Sequence, residues 1–168
     1  MPLSLPDIDM FDGDEPDMTT LHEAIKRFQQ DRAARLSDEL PSETDETYWL
    51  YAQRQKGRYK KSNDRSGKWL IFAPQTQIDD AWEKVKELTE SGKLGNSSKV
   101  STKLGNQNRD FVICVYTYDW TDKKDCMAIR ETLRVAGFTQ SLSYKSDEDT
   151  LAGRYVGNQE KKIAKYRI

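Results

Sequence analysis

Residues 54 to 68 gather Arg54, Lys56, Arg58, Lys60, Lys61, Arg65 and Lys68 against Asp64 alone. Tyr59 sits inside this run, and Tyr48, Trp49 and Tyr51 come just before it. Ammonium and guanidinium groups neutralise phosphate, while the face of a Tyr or Trp ring stacks on a nucleobase at roughly 1–3 kcal/mol per base. The stretch therefore holds both halves of a nucleotide or RNA contact. Lys99, Lys103 and Arg109 add positive charge further along, as do Lys161, Lys162, Lys165 and Arg167. Taken alone, the 54–68 run reads equally well as a solvated loop, since surface charge mainly serves solubility.

Catalytic chemistry has less to draw on. A nucleophile, its base and an orienting acid must converge, yet the only histidine, His22, precedes the expected core, and no GxSxG, P-loop or HExxH pattern occurs. Cys114 falls in an apolar strand and Cys126 on the apolar side of a helix, without a CxxC pair, so both read as small buried hydrophobes. Asp79 and Asp80 lie at a helix start, where the dipole accounts for them. No metal, cofactor or disulfide framework is expected, and a binding protein is favoured over an enzyme. The enzymatic alternative is a lyase or hydrolase acting on phosphorylated substrates, with Lys99 or Lys103 as base or electrophile.

The elements that position these groups follow from composition and periodicity. A chain of 168 residues has room for one substantial core. Its 36% hydrophobic and 33% charged residues depart from the usual ~45–50% and ~25%, which points to an unpacked segment. Residues 1–17 supply it: six acids, no base, and prolines at 2, 6 and 16 predict a disordered acidic arm. Residues 18–47 read as an amphipathic helix, opened by a Thr20–Glu23 capping box, and an acidic linker containing Pro41. Residues 48–168 form the folded domain. No apolar run approaches a membrane span, and no secretory pattern opens the chain, so a soluble protein of the cytoplasm, with the nucleus as the alternative, is expected.

Within that domain YWLYAQ (48–53) has strand character, and KWLIFA (68–73) reads as a strand covered on both sides, ended by Pro74. Ile78, Ala81, Trp82, Val85 and Leu88 keep helical spacing, with Gly92 as the stop. A strand near 98–102 and FVICVYTY (111–118) follow. Thr121 is placed to cap a second helix, whose apolar side holds Cys126, Ile129, Leu133 and Ala136 before Gly137. SLSYK (141–145), GRYV (153–156) and KKIAKYRI (161–168) supply further strands, the last two joined by a Gly157–Asn158 turn. Trp69 and Trp82 are expected in the core, and so is Trp49 unless a site claims it; Trp120 sits equally well at an edge. The class is mixed α and β.

The stretches GKWLIF, DDAWEKV, KVST, FVICVYTYDWTD, LRVAG and SLSYKSDEDTLAGRYV resemble the family named after basophilic leukaemia expressed protein, from about Gly67 through GRYV. A phosphothreonine lyase activity attached to some of its members finds no catalytic set in this chain. That family is in turn similar in fold to translation initiation factor 4E: a G-basic-W-L-I strand, a helix with an inward tryptophan (Trp82), a central strand, a second helix, and a strand closing on Tyr144 before Asp149 and Thr150. The resemblance implies an α+β domain whose curved antiparallel sheet has helices on its convex face and a ligand cleft on the concave side. It also implies Tyr59 and Trp49 near the two aromatic positions that sandwich a methylated guanine, with Lys99, Lys103 and Arg109 near the phosphates. Lys60 stands where the family carries the guanine-reading glutamate, so specific cap recognition is not implied.

These readings combine into a non-catalytic RNA or nucleotide-binding module, with Tyr59 and Trp49 stacking and Arg58, Lys60, Lys61, Lys99, Lys103 and Arg109 on phosphate. They require these side chains to converge on one hollow. The rival is a protein-interaction scaffold that recruits a partner through residues 1–47.

Overall fold

Trp69, Ile71 and Ala73 alternate with Lys68, Leu70 and Phe72 along GKWLIFA, and the alternation divides the sheet into two faces. In the computed structural model, which describes residues 19–27, 39–106, 109–148 and 164–168, the first set is buried and Phe72 is 56% exposed. The chain divides into two units, Met1–Glu39 and Leu40–Ile168. In the first, 19–27 are helical. The expected helix beyond residue 27, the acidic arm, the Asp149–Thr150 pair, GRYV and the Gly157–Asn158 turn lie outside the described residues.

The second unit contains β1 (Trp49–Gln53), β2 (Gly67–Ala73), α1 (Gln75–Glu90), β3 (Ser97–Ser101), β4 (Phe111–Thr117), α2 (Lys123–Val135), β5 (Ser143–Ser146) and β6 (Tyr166–Arg167). The strands form one open, curved antiparallel sheet in the order β1-β3-β4-β2-β5-β6. FVICVYT is central, as its apolar run predicts. Both helices cover the same face. From α1, Thr89 Oγ1 lies 2.9 Å from the Ser98 hydroxyl of β3; from α2, the Cys126 carbonyl accepts from Trp69 Nε1 at 3.0 Å. Trp69, Trp82 and Tyr144 are buried in this layer, and the Trp69 and Tyr144 rings meet edge to face at 5.2 Å. Among the described residues no helix is long and apolar enough to cross a membrane.

Two local expectations change, and one buried charge is added to the core. Among the described residues of the second unit, helices cover KWLIFA on one face only, the one that carries Trp69, Ile71 and Ala73. Asp122, not Thr121, caps α2: its Oδ1 accepts from the Asp125 amide at 3.1 Å. Arg130 lies among Cys126, Ile129 and Leu133 on the buried face of α2 and is 1% exposed. Its guanidinium donates to the carbonyls of Ile168, Phe138 and Gln140 at 3.0, 2.9 and 2.7 Å. Gly67 is a close-approach position, since a Cβ there would lie 2.3 Å from Tyr144 Oη. Gly92, at φ +82°, takes the left-handed conformation that ends α1.

Candidate nucleic-acid interface

The face of the sheet away from the helices carries Trp49 and Tyr51 from β1, Lys99 and Ser101 from β3, Val112, Cys114 and Tyr116 from β4, and Lys68, Leu70 and Phe72 from β2. Period-two alternation puts them there, and the register makes them neighbours: Tyr51 opposite Lys99, Lys99 opposite Cys114, and Lys68 opposite Tyr116. The Lys99 ammonium sits 3.8 Å from the centroid of the Trp49 ring and 5.9 Å from that of Tyr116. Lys68 Nζ lies 5.6 Å from the Tyr116 centroid and is bound to Asp147 at 2.7 Å. Burial, with the nearby Lys68 charge, pushes the Lys99 pKa below the ordinary lysine value. Burial also pushes the Cys114 thiol up to about 11, which keeps it protonated and unreactive at neutral pH. Lys68 thus has a carboxylate counterion, whereas Lys99 has an aromatic face and, among the described residues, no carboxylate within ion-pair distance. A half-desolvated cation in that state gains from a phosphate.

The basic loop is largely engaged by the fold itself. Arg54 donates to the carbonyl of Lys56 at 3.1 Å, and to those of Leu94 and Gly95. Arg65 clasps Asp119 with Nη2 at 2.8 Å and Nε at 3.2 Å, and Asp119 also accepts from Asn63 and Thr121. Lys60 lies 5.1 Å over the Tyr118 ring. Tyr59 is held on several sides: its hydroxyl donates to Asp125 at 2.5 Å and accepts from the Tyr118 amide, Arg54 covers its ring at 5.3 Å, and Tyr118 meets it edge-on. Burial, then the Asp125 bond, raises the Tyr59 pKa well above that of a free phenol. Arg58 and Lys61 are exposed.

Arg65 first, then Thr121 and Asn63, hold the Asp119 carboxyl far below the usual range. Because the folded value is depressed, the stabilisation is present above the unfolded carboxylate pKa of about 3.9 and disappears as pH falls further. Thermal melts at stepped pH are expected to show a midpoint flat from pH 7 to 5 and falling below about pH 4. Asp119→Asn flattens that fall. An equal fall in the variant would remove Asp119 as its cause.

The expected site residues therefore separate into three places. Trp49 and Lys99 meet on the open face at its β1 edge. Tyr59 and Lys60, with Arg58 and Lys61 on the same loop, lie beyond the end of the sheet where β4 finishes. Lys103 and Arg109 lie at the opposite end, one just after β3 and the other just before β4. The seven residues of β4 put about 20 Å between those two ends, so convergence on a single hollow does not occur. The open-face positions of Lys68, Phe72 and Tyr116 were not singled out from sequence. Alternation in β2 and β4 was the available signal, obscured where Leu70, Ile71 and Phe72 are all apolar.

Comparison with known proteins places this geometry. The family model for basophilic leukemia-expressed protein Bles03 matches residues 60–151. Among solved structures, a schistosome eIF4E complexed with m7GpppA and 4E-BP is similar at 17% identity and a TM-score of 0.59, covering 83% of this chain and 80% of that one. C. elegans eIF4E-3, in complex with the 4E-binding protein Mextli and a cap analog, is similar at 15% identity and a TM-score of 0.54, with coverage of 83% and 80%. Ascaris suum eIF4E-3 with m7G cap gives 11% identity, a TM-score of 0.54 and coverage of 83% and 79%. At these identities the likeness establishes the 4E-like fold.

Proposed function

Since the chain belongs to the family of basophilic leukemia-expressed protein Bles03 and has a 4E-like fold, we propose that it is a non-catalytic module that binds RNA or a nucleotide on the open face of its sheet. The observation that carries this reading is the Lys99 ammonium over the Trp49 ring at 3.8 Å. A phosphate can take the cation, and the indole face it uncovers can take a base. The solved neighbours bound to caps are evidence that this fold accommodates a nucleotide.

The same contact sets the preference among bases. A positively charged N7-methylated purine must displace a like-charged lysine from the ring, whereas a neutral purine meets no such repulsion. Lys60, following Tyr59, offers no carboxylate to a guanine edge. The module is therefore a binder of uncharged bases and not a specific cap reader.

Isothermal titration at low salt with GTP and with N7-methyl-GTP tests this. GTP is expected to bind at least as tightly as its methylated form, and Trp49→Ala to weaken GTP about tenfold, in keeping with the loss of one stacked base. If neither nucleotide nor a short RNA binds, the reading is wrong; if methylation strengthens binding tenfold, the module is a cap reader after all.

A further inference from the structure

We propose that the open face takes a single-stranded oligonucleotide in preference to a lone nucleotide, with Phe72 as a second stacking platform across the sheet from Trp49. The inference rests on the reading of the Trp49–Lys99 site given above and extends it to the chemical class of the ligand.

Phe72 is the starting point. It lies where β2 outruns β5: β4 pairs with it on one side, while the β5 pairing stops at Leu70; 56% of it is exposed, and Tyr51 on the same face is 51% exposed. Among the described residues neither α1 nor α2 packs on that face, which leaves a large apolar ring open to solvent. The pairing register fixes its relation to Trp49. Trp49 pairs with Ser101, the Ser101 hydroxyl accepts from the Val112 amide at 2.9 Å, and Val112 pairs with Phe72. The two rings thus stand on one row that crosses β1, β3, β4 and β2.

Three strand spacings of about 4.8 Å place them roughly 14 Å apart. Successive bases of a stacked strand rise about 3.4 Å along its axis, so one nucleotide cannot reach both rings and a short chain can. Aromatics spread over a four-stranded sheet are a general means of holding successive unpaired bases.

Charge selects nucleic acid over an acidic or neutral partner. None of the strands β1 to β5 contains an acidic residue, and of the lysines on the open face Lys68 is balanced by Asp147 whereas Lys99 lies on the Trp49 ring. Lys99 stands in the next row to the line between the rings, where the backbone of a crossing strand would run. The apolar floor of Leu70 and Val112 suits bases, and Lys99 suits a phosphate that links them.

The experiment is fluorescence anisotropy on the full chain with labelled oligoadenylates of one, three and six nucleotides, and an abasic hexamer, at low salt. The expected result is affinity at least about tenfold higher for the hexamer than for the mononucleotide, with the abasic hexamer well below the adenylate hexamer. Phe72→Ser should weaken the hexamer about tenfold and leave the mononucleotide unchanged, while Phe72→Tyr, which keeps a ring, restores hexamer binding. Trp49→Ala should weaken both. Equal affinity for mononucleotide and hexamer overturns the inference and spares the underlying site, as does a Phe72→Ser hexamer affinity equal to wild type. Equal affinity for the abasic and adenylate hexamers overturns the stacking role. Failure of every probe overturns both readings.

Discussion

Arg130→Ala is expected to lower the thermal midpoint by about 10 °C. The side chain is 1% exposed and sits on the apolar face of α2, where its guanidinium donates to the carbonyls of Ile168, Phe138 and Gln140. The Ile168 carbonyl keeps a second donor, the Leu142 amide at 2.7 Å, whereas Phe138 and Gln140 have no other donor described. Leaving two such acceptors unpaired costs about 1–3 kcal/mol each, or roughly 3 kcal/mol in all for partly relaxed groups. Each kcal/mol is worth about 2–8 °C in a domain of this size range. Arg130→Met separates the causes, because it retains the apolar stem and removes the donors: it should recover little of the lost stability. Circular dichroism melts decide it, and an alanine variant within about 2 °C of wild type would show that water replaces the guanidinium without penalty.

The second large effect concerns affinity. Lys99→Glu is expected to weaken hexanucleotide binding about 30-fold at low salt, or ~2 kcal/mol. A unit-charge pair 4 Å apart is worth about 4 kcal/mol at the effective dielectric of a protein surface, and screening removes part of that. The fold should tolerate the change, since a carboxylate near Lys68 replaces a repulsion that contributes to depressing the Lys99 pKa. Lys99→Met gives a finer measure: with one phosphate contact gone, the slope of log affinity against log salt should flatten by about 0.7. Wild-type affinity and slope in both variants would place the ligand elsewhere.

Much of the fold could be read before any coordinates. The spacing of Ile78, Trp82 and Val85 marks α1 and its buried face; Gly92 marks its end; the apolar run from Phe111 marks the central strand. Candidate binding residues were only partly legible. Trp49 and Lys99 were both singled out, but their meeting depends on the β1–β3 register, which links residues 50 positions apart. Tyr59 looked like an open stacking platform because nothing nearby in sequence indicates Asp125 as the acceptor of its hydroxyl.

Sequence by itself determined the order of the described strands and helices and the local run of positive charge at 54–68, because periodicity and composition are properties of short segments. Only the tertiary structure decided which cations remain available to a ligand. Arg65 is held by Asp119, Lys68 by Asp147 and Arg54 by carbonyls around residue 94, all partners 40 to 80 positions away, while among the described residues Lys99 lies against aromatic rings. The physical reason is that a charge is neutralised by whatever comes within about 4 Å of it, and that distance is set by sheet register and loop closure rather than by neighbours along the chain.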